Sequence, residues 1–323
     1  MATAAIVVSP PEERVAAGPG ATRAMGYYDP ALRRVVLVGG ADQPRAAGRD
    51  RVWSWSGRHW ETVTDSGPAA RSTAAIAYDM RRQLAVTTGG GRRTPNDSSF
   101  EVIADTWEGG PTSWRRGSGA ELGARDHHAM VYDEARNALI LFGGIPARRS
   151  DPWPGDTWER RPEGWVRVAT DGPTGRGRTA LAWDDARREV VLFGGVSAPG
   201  ADGRTQTFFN DTWTWNGTAW RKVADEGPPA RYAHAMVYDE RARVVLLYSG
   251  AAAHRGAPLT DMWQWDGRRW TEIRLTGPTP GYRYQPVMVY DRARGRTVLY
   301  GTVDGVKDDT WEWDGQRWTE VVP

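Results

Sequence analysis

GPPARYAHAMVYDERARVVLLYSG at residues 227–250, followed after a loop by DMWQWDGRRWTEI at 261–273, is the stretch that decides the fold. It contains two apolar runs joined by a polar turn, a glycine stop, and a tryptophan-rich hairpin. The same order recurs along the whole chain. Its aromatic-Asp pair, Tyr238-Asp239, reappears as Tyr28-Asp29, Tyr78-Asp79, Tyr132-Asp133, Trp183-Asp184 and Tyr290-Asp291. Six copies at intervals of about 50 residues match the period of a four-stranded propeller blade.

Two spacings hold in every copy. Ten residues separate the Asp from the stop, as in Asp133 to Gly143 and Asp239 to Ser249, and seven separate the hairpin tryptophans, as in Trp213 and Trp220. Eleven residues then lead from the second Trp to Arg71, Arg125, Arg176 and Arg231, and thirteen to Arg283. Each copy thus holds four short β-rich runs bounded by turn residues, the pattern of an antiparallel meander. We label them strands A to D. The A–B turn carries Asp-x-x-Arg in four copies, where the carboxylate can bond its own turn backbone. Asn216-Gly217, Asp266-Gly267 and Asp314-Gly315 are C–D hairpin turns.

Eighteen tryptophans could suggest a sugar-binding surface, but seventeen of them occupy repeat positions. We therefore expect these rings to pack between blades, leaving Trp153 outside the pattern.

The diglycine after an apolar strand (Gly143-Gly144, Gly194-Gly195) and the paired hairpin tryptophans resemble the kelch repeat, in its bacterial YDxxRxxVVLFGG and DTWxWDG form, over about residues 18–321. The resemblance implies an all-β, six-bladed propeller of four antiparallel strands per blade, with strand A nearest the axis. We expect one domain with blades at about 18–63, 67–116, 117–168, 172–223, 227–273 and 277–321. Residues 1–17 are read as a tail or, through Ile6 to Val8, an outer latch strand. For activity the resemblance implies little, because kelch propellers include binding modules, sugar-handling enzymes and lyases. Oxidases similar to galactose oxidase need a cysteine-modified tyrosine, and the chain has no cysteine. The Glu-x-x-x-Asp-x-x-x-His iron pattern of plant specifier proteins is also missing, since Glu121 and Asp126 are five apart.

Forty-two basic and forty acidic residues are interleaved through every copy, so nucleic acid is not an expected partner. No apolar run approaches a bilayer span, and the opening residues lack a basic-then-apolar secretory pattern. A cytoplasmic monomer without cofactor is the expectation.

Length varies in the B–C loops, whose spans from the strand A Asp to the first hairpin Trp are 24, 28, 25, 29, 24 and 20 residues. Variable loops on a fixed scaffold are where sites are built, so the B–C/D–A face is expected to bind a small ligand or a protein. Ligand-binding candidates there are Arg125, Asp126, Trp153, Phe208, Phe209, Arg231, Tyr232, His254 and Arg283. The alternative is an isomerase, lyase or cyclase at the channel mouth. Its candidates are His127, His128 and His234 as acid or base, and Tyr282 and Tyr284 as donors sharing a strand face. A divalent metal among Asp126, His128 and His234 is a variant of that alternative. The repeated arginines can also be read as one half of a structural ring of ion pairs with Asp105, Asp156, Asp211, Asp261 and Asp309.

Overall fold

The computed structural model describes residues 19, 24–40, 50–93, 99–252, 258–301 and 309–321. Six four-stranded antiparallel sheets, each from contiguous sequence, are the blades of a β-propeller. Their inner strands are Met25–Asp29, Ala75–Asp79, Ala129–Asp133, Ala180–Asp184, Ala235–Asp239 and Val287–Asp291. Each inner strand touches the next around the axis, and the last touches the first. Strand B reads as an unbroken apolar run, as in Ala138–Phe142 (ALILF), because neighbouring blades cover both its faces. Among the described residues there is no α-helix, and none is long and apolar enough to cross a membrane.

The sixth sheet takes all four of its strands from Val287 onward, ending at Trp318–Val321. Among the described residues, the ring closes through side chains. Trp60 Nε1 donates to Thr310 Oγ1 at 2.8 Å, Trp55 Nε1 donates to Glu312 Oε1 at 2.8 Å, and the Trp60 ring meets Tyr300 edge-on. The proposed latch at Ile6 to Val8 lies outside the described residues.

The same contact repeats between other blades. Trp165, Trp220 and Trp270 each donate to the threonine that opens strand C of the preceding blade: Thr106, Thr157 and Thr212. The hydroxyl satisfies an indole N–H that burial would otherwise leave unpaired. Where that threonine is replaced by Val52 or Met262, the indole nitrogens of Trp114 and Trp318 have no hydrogen-bond partner.

Within each of blades two to six, one arginine ties three segments together. Arg125 donates to the Leu122 carbonyl, to the Gly143 carbonyl closing strand B, and to both oxygens of Asp156 at the start of strand C. Arg176–Asp211, Arg231–Asp261 and Arg283–Asp309 repeat this, and Arg71 pairs with Asp105 at 2.8 Å. In four of these blades the first hairpin Trp shares the carboxylate, as Trp213 does with Asp211 at 2.8 Å and Trp263 with Asp261 at 2.6 Å. Burial alone would raise the Asp105, Asp211, Asp261 and Asp309 carboxyls, but the arginine and indole donors outweigh it and lower them.

This corrects the expectation that Arg125, Arg231 and Arg283 hold a ligand anion. A guanidinium has five donors, and those of Arg125 and Arg283 all bond protein oxygens. Arg231 is fully buried, against the Pro229 and Ser249 carbonyls and Asp261. Removing it leaves the largely buried Asp261 carboxylate without its cation. Arg231→Ala should lower the unfolding free energy by about 3–5 kcal/mol in urea titrations. Arg231→Lys should recover only part of that, because one ammonium cannot replace a bidentate fork.

Candidate functional site

Two residues beyond each of these arginines, the chain takes a left-handed turn. Thr73, His127, Arg178, Ala233 and Gln285 all have φ between 52° and 58°. Side chains rarely accept this region, at a cost of about 1–3 kcal/mol per residue. A belt of backbone hydrogen bonds holds them there. The His127 N–H donates to the Thr73 carbonyl, Arg178 to His127, Ala233 to Arg178, and Gln285 to Ala233, at 2.8–2.9 Å. The turn aims these side chains at the axis, and all five line a cavity of about 220 Å³ at the B–C/D–A mouth of the channel. Its floor is a ring formed by Gly26, Ile76, Met130, Leu181, Met236 and Met288, one residue from each blade.

Blade three supplies the most developed group. Asp126 is fully buried and accepts two hydrogen bonds from Arg149, at 2.9 and 2.7 Å. Its Oδ1 also lies 3.0 Å from His127 Nδ1. Burial alone would raise the Asp126 carboxyl; Arg149 and His127 outweigh that and hold it well below the usual carboxylate range. Asp126 therefore stays ionised and can orient the His127 ring. Beside it, the Arg178 guanidinium lies 5.6 Å from the centre of the Tyr232 ring. Arg178 Nε and Gln285 Oε1 are buried without a hydrogen-bond partner among the described residues. Such atoms at a cavity call for a ligand or water to complete them.

Aromatic candidates from four B–C/D–A connections meet at this rim. Phe208 lies 5.4 Å from Tyr232, and Tyr284 meets Tyr232 edge-on at 5.8 Å. Trp153 packs against the same cluster. Phe209 faces the other way, under the Arg176 guanidinium at 3.7 Å, and belongs to the scaffold. Tyr284 and Tyr282 do not share a strand, because strand A of blade six begins only at Val287. Tyr282 is not among the cavity-lining residues. His254 lies outside the described residues.

His128 and His234 touch the cavity wall but are 6% exposed, and each packs into the preceding blade. Their Cε1 atoms sit where a side chain on Gly89 or Gly194 would have to go. His234 also meets Phe193 edge-on at 5.6 Å. The two rings face different interfaces, and Asp126 is taken by Arg149 and His127, so the suggested metal trio is not assembled. Spacing drew attention to the repeated histidines, whereas the varied position one residue earlier forms the mouth. Arg178 was missed for that reason, and Gln285 stands out in the sequence only as a departure of the sixth copy from the His/Ala pattern. Variation at a fixed repeat position was the signal that could have found both.

Burial, followed by the nearby Arg125 or Arg231 charge, pushes the His128 and His234 imidazoles down from 6.5 to about 3. The unfolded chain then binds more protons between those values. Stability should be complete above pH 6.5 and fall as the pH drops, by on the order of 2 kcal/mol per histidine by pH 5. Denaturant titrations at pH 7 and 5 check this, and the His128→Gln, His234→Gln double variant should lose much of the difference.

Comparison with known proteins adds a fold relative. No protein-family model and no curated protein sequence matches the chain. Among solved structures, one titled "Structure of YjhT" superposes with a TM-score of 0.70 over 93% of this chain and 97% of that one, at 14% identity. At that identity the likeness is one of fold, and the chain is a six-bladed β-propeller.

Proposed function

We propose that this chain is a single kelch-type propeller domain that binds a small polar anion at the B–C/D–A mouth of its channel. The observation that carries this is the convergence of Arg178, His127, Gln285 and Thr73 on one cavity. Arg178 is the only arginine or lysine among the described lining residues, and its Nε is unpaired there. A cation in a partly desolvated pocket, with hydroxyl, imidazole and amide groups around it, selects a carboxylate or phosphate with further polar groups. The cluster of Trp153, Phe208, Tyr232 and Tyr284 supplies an adjoining apolar lip. This favours a small molecule over a protein partner, which would need a broad surface rather than a pocket. The interleaved charges, with no dense basic block, support the absence of a nucleic-acid partner.

A second reading is enzymatic, and the Asp126–His127 contact favours it. An ionised buried carboxylate that orients an imidazole at a pocket is the arrangement of a general base. With Arg178 beside it to receive developing negative charge, proton abstraction next to a carboxylate is the chemistry such a site would support. An isomerase, lyase or cyclase would use it.

Thermal-shift screening against small carboxylates and phosphate esters, followed by calorimetry, separates these. A stabilising anion should bind the Arg178→Ala variant roughly tenfold more weakly or worse, the loss expected for a charged hydrogen bond. A best ligand that binds Arg178→Ala unchanged would remove this site from consideration. Proton-exchange or product signals in the NMR spectrum of that ligand, lost in His127→Gln and in Asp126→Asn, would establish the enzymatic reading over simple binding.

A further inference from the structure

Below the floor ring the channel continues into a second cavity, of about 210 Å³, at the A–B end. Its chemistry is the reverse of the first. The wall is aromatic, made by Tyr28, Tyr78, Tyr132, Trp183, Tyr238 and Tyr290, and the floor is the apolar ring already described. The charged residues lining it are Glu134, Glu240 and Arg292. Arg292 belongs to blade six and Glu134 to blade three, which stand opposite each other across the axis. The guanidinium crosses the mouth to pair with Glu134, and meets Glu240 at 2.6 Å.

The aromatic wall is more than repeat scaffold held in place by chance. Tyr132 and Tyr238 hydroxyls accept the backbone N–H of Arg81 and Ala186 in the preceding blades' turns, which fixes the rings against the channel. Burial raises the pKa of Tyr132, Tyr238 and Tyr290, so these phenols are neutral and the wall carries no competing charge. Rings of this kind attract organic cations through their π faces, and carboxylates at the rim add direct pairing. A dry cavity of ~150 Å³ is enough to hold benzene, so this one admits a benzene-sized body carrying a small cationic group. Arg292 already shows the preference, as a cation of the chain itself held by carboxylates from two blades.

We propose that the A–B end of the channel is a second ligand site, for a small organic cation with an apolar body, and that Arg292 is its tethered competitor. The cation displaces the Arg292 guanidinium into solvent, pairs with Glu134 and Glu240, and lays its apolar part on Met130, Met236 and Met288. This is independent of the anion site, because no charged group is shared between the two cavities.

Methyl-labelled methionine NMR on the full chain, with benzyltrimethylammonium as the probe, tests it. Met80 lines only the A–B cavity and Met25 only the other, so their methyl signals report which one fills. Saturable movement of Met80 with Met25 still is the expected result. Removing the tether in Arg292→Ala should tighten binding roughly tenfold, as when a competitor at high effective concentration is lost. The Glu134→Gln, Glu240→Gln double variant should weaken it by a similar factor, and Arg292→Gln serves if the alanine variant does not fold. The fully buried Met262 methyl certifies the fold of each variant. Movement of Met25 alone, no movement of Met80 in either wild type or Arg292 variant, or equal response to benzenesulfonate would each overturn the proposal.

Discussion

A buried arginine that reaches three chain segments at once is the interaction on which the rest of this propeller depends. In blade three, Arg125 joins the D–A connection, the end of strand B and the start of strand C through five donors. A buried ion pair contributes little when partly satisfied, because desolvation of each charge offsets the attraction. Here the guanidinium is fully coordinated in blades three and six, and the carboxylate is also bonded by an indole in four blades, through Trp107, Trp213, Trp263 and Trp311. The pair therefore acts as a fixed pin at the same end of blades two to six. Once that end is pinned, the residue two positions later can be held in a strained left-handed turn and aimed at the axis. The candidate site is a consequence of the pin.

The contacts between blades obey a second constraint, and it explains what spacing could and could not disclose. The seven-residue interval between hairpin tryptophans and the aromatic-Asp repeat made the blades and their strand order legible, because both are local patterns within one sheet. The partner of each second Trp lies in another blade, and no local pattern announces it. Trp60 bonds Thr310, 250 residues away in the chain. Only with the sheets in place does the threonine opening strand C acquire meaning, and only then do Val52 and Met262 stand out as substitutions that leave Trp114 and Trp318 unpaired.

The site was half legible for a related reason. Choosing the B–C/D–A face by loop length picked out Tyr232, Tyr284, Phe208 and Trp153, which one aromatic cluster unites at the candidate rim. Choosing residues within that face by repetition led astray. Arg125, Arg231 and Arg283 recur because the fold needs them, and a group that the fold consumes or seals from solvent is not open to a ligand. His128 and His234 recur because they pack on a neighbouring blade's glycines. The position that varies as Thr73, His127, Arg178, Ala233 and Gln285 is free to vary because its backbone is secured by the belt of main-chain hydrogen bonds. Residue type pointed to His127; for the other four the sequence offers only their variation at a fixed repeat position, and the φ angles and the belt give that variation its meaning.

One inner strand from each blade lines the channel, and the left-handed turn before it, with the two-residue alternation after it, explains why the two ends differ. In blade three the axis-facing positions run His127 at the mouth, Met130 at the floor, Tyr132 on the lower wall and Glu134 at the lower rim. Blade six gives Gln285, Met288, Tyr290 and Arg292 at the same places. The floor and wall positions are similar in most blades, because packing around a common axis accepts little variation in volume. The mouth and rim positions, by contrast, hold cations, anions, amides and small residues without disturbing a strand. Chemical identity in this fold is therefore concentrated in two short rings of residues, one at each end of the channel. The remainder of the repeat, including nearly all of its tryptophan, serves to hold those rings at fixed separation.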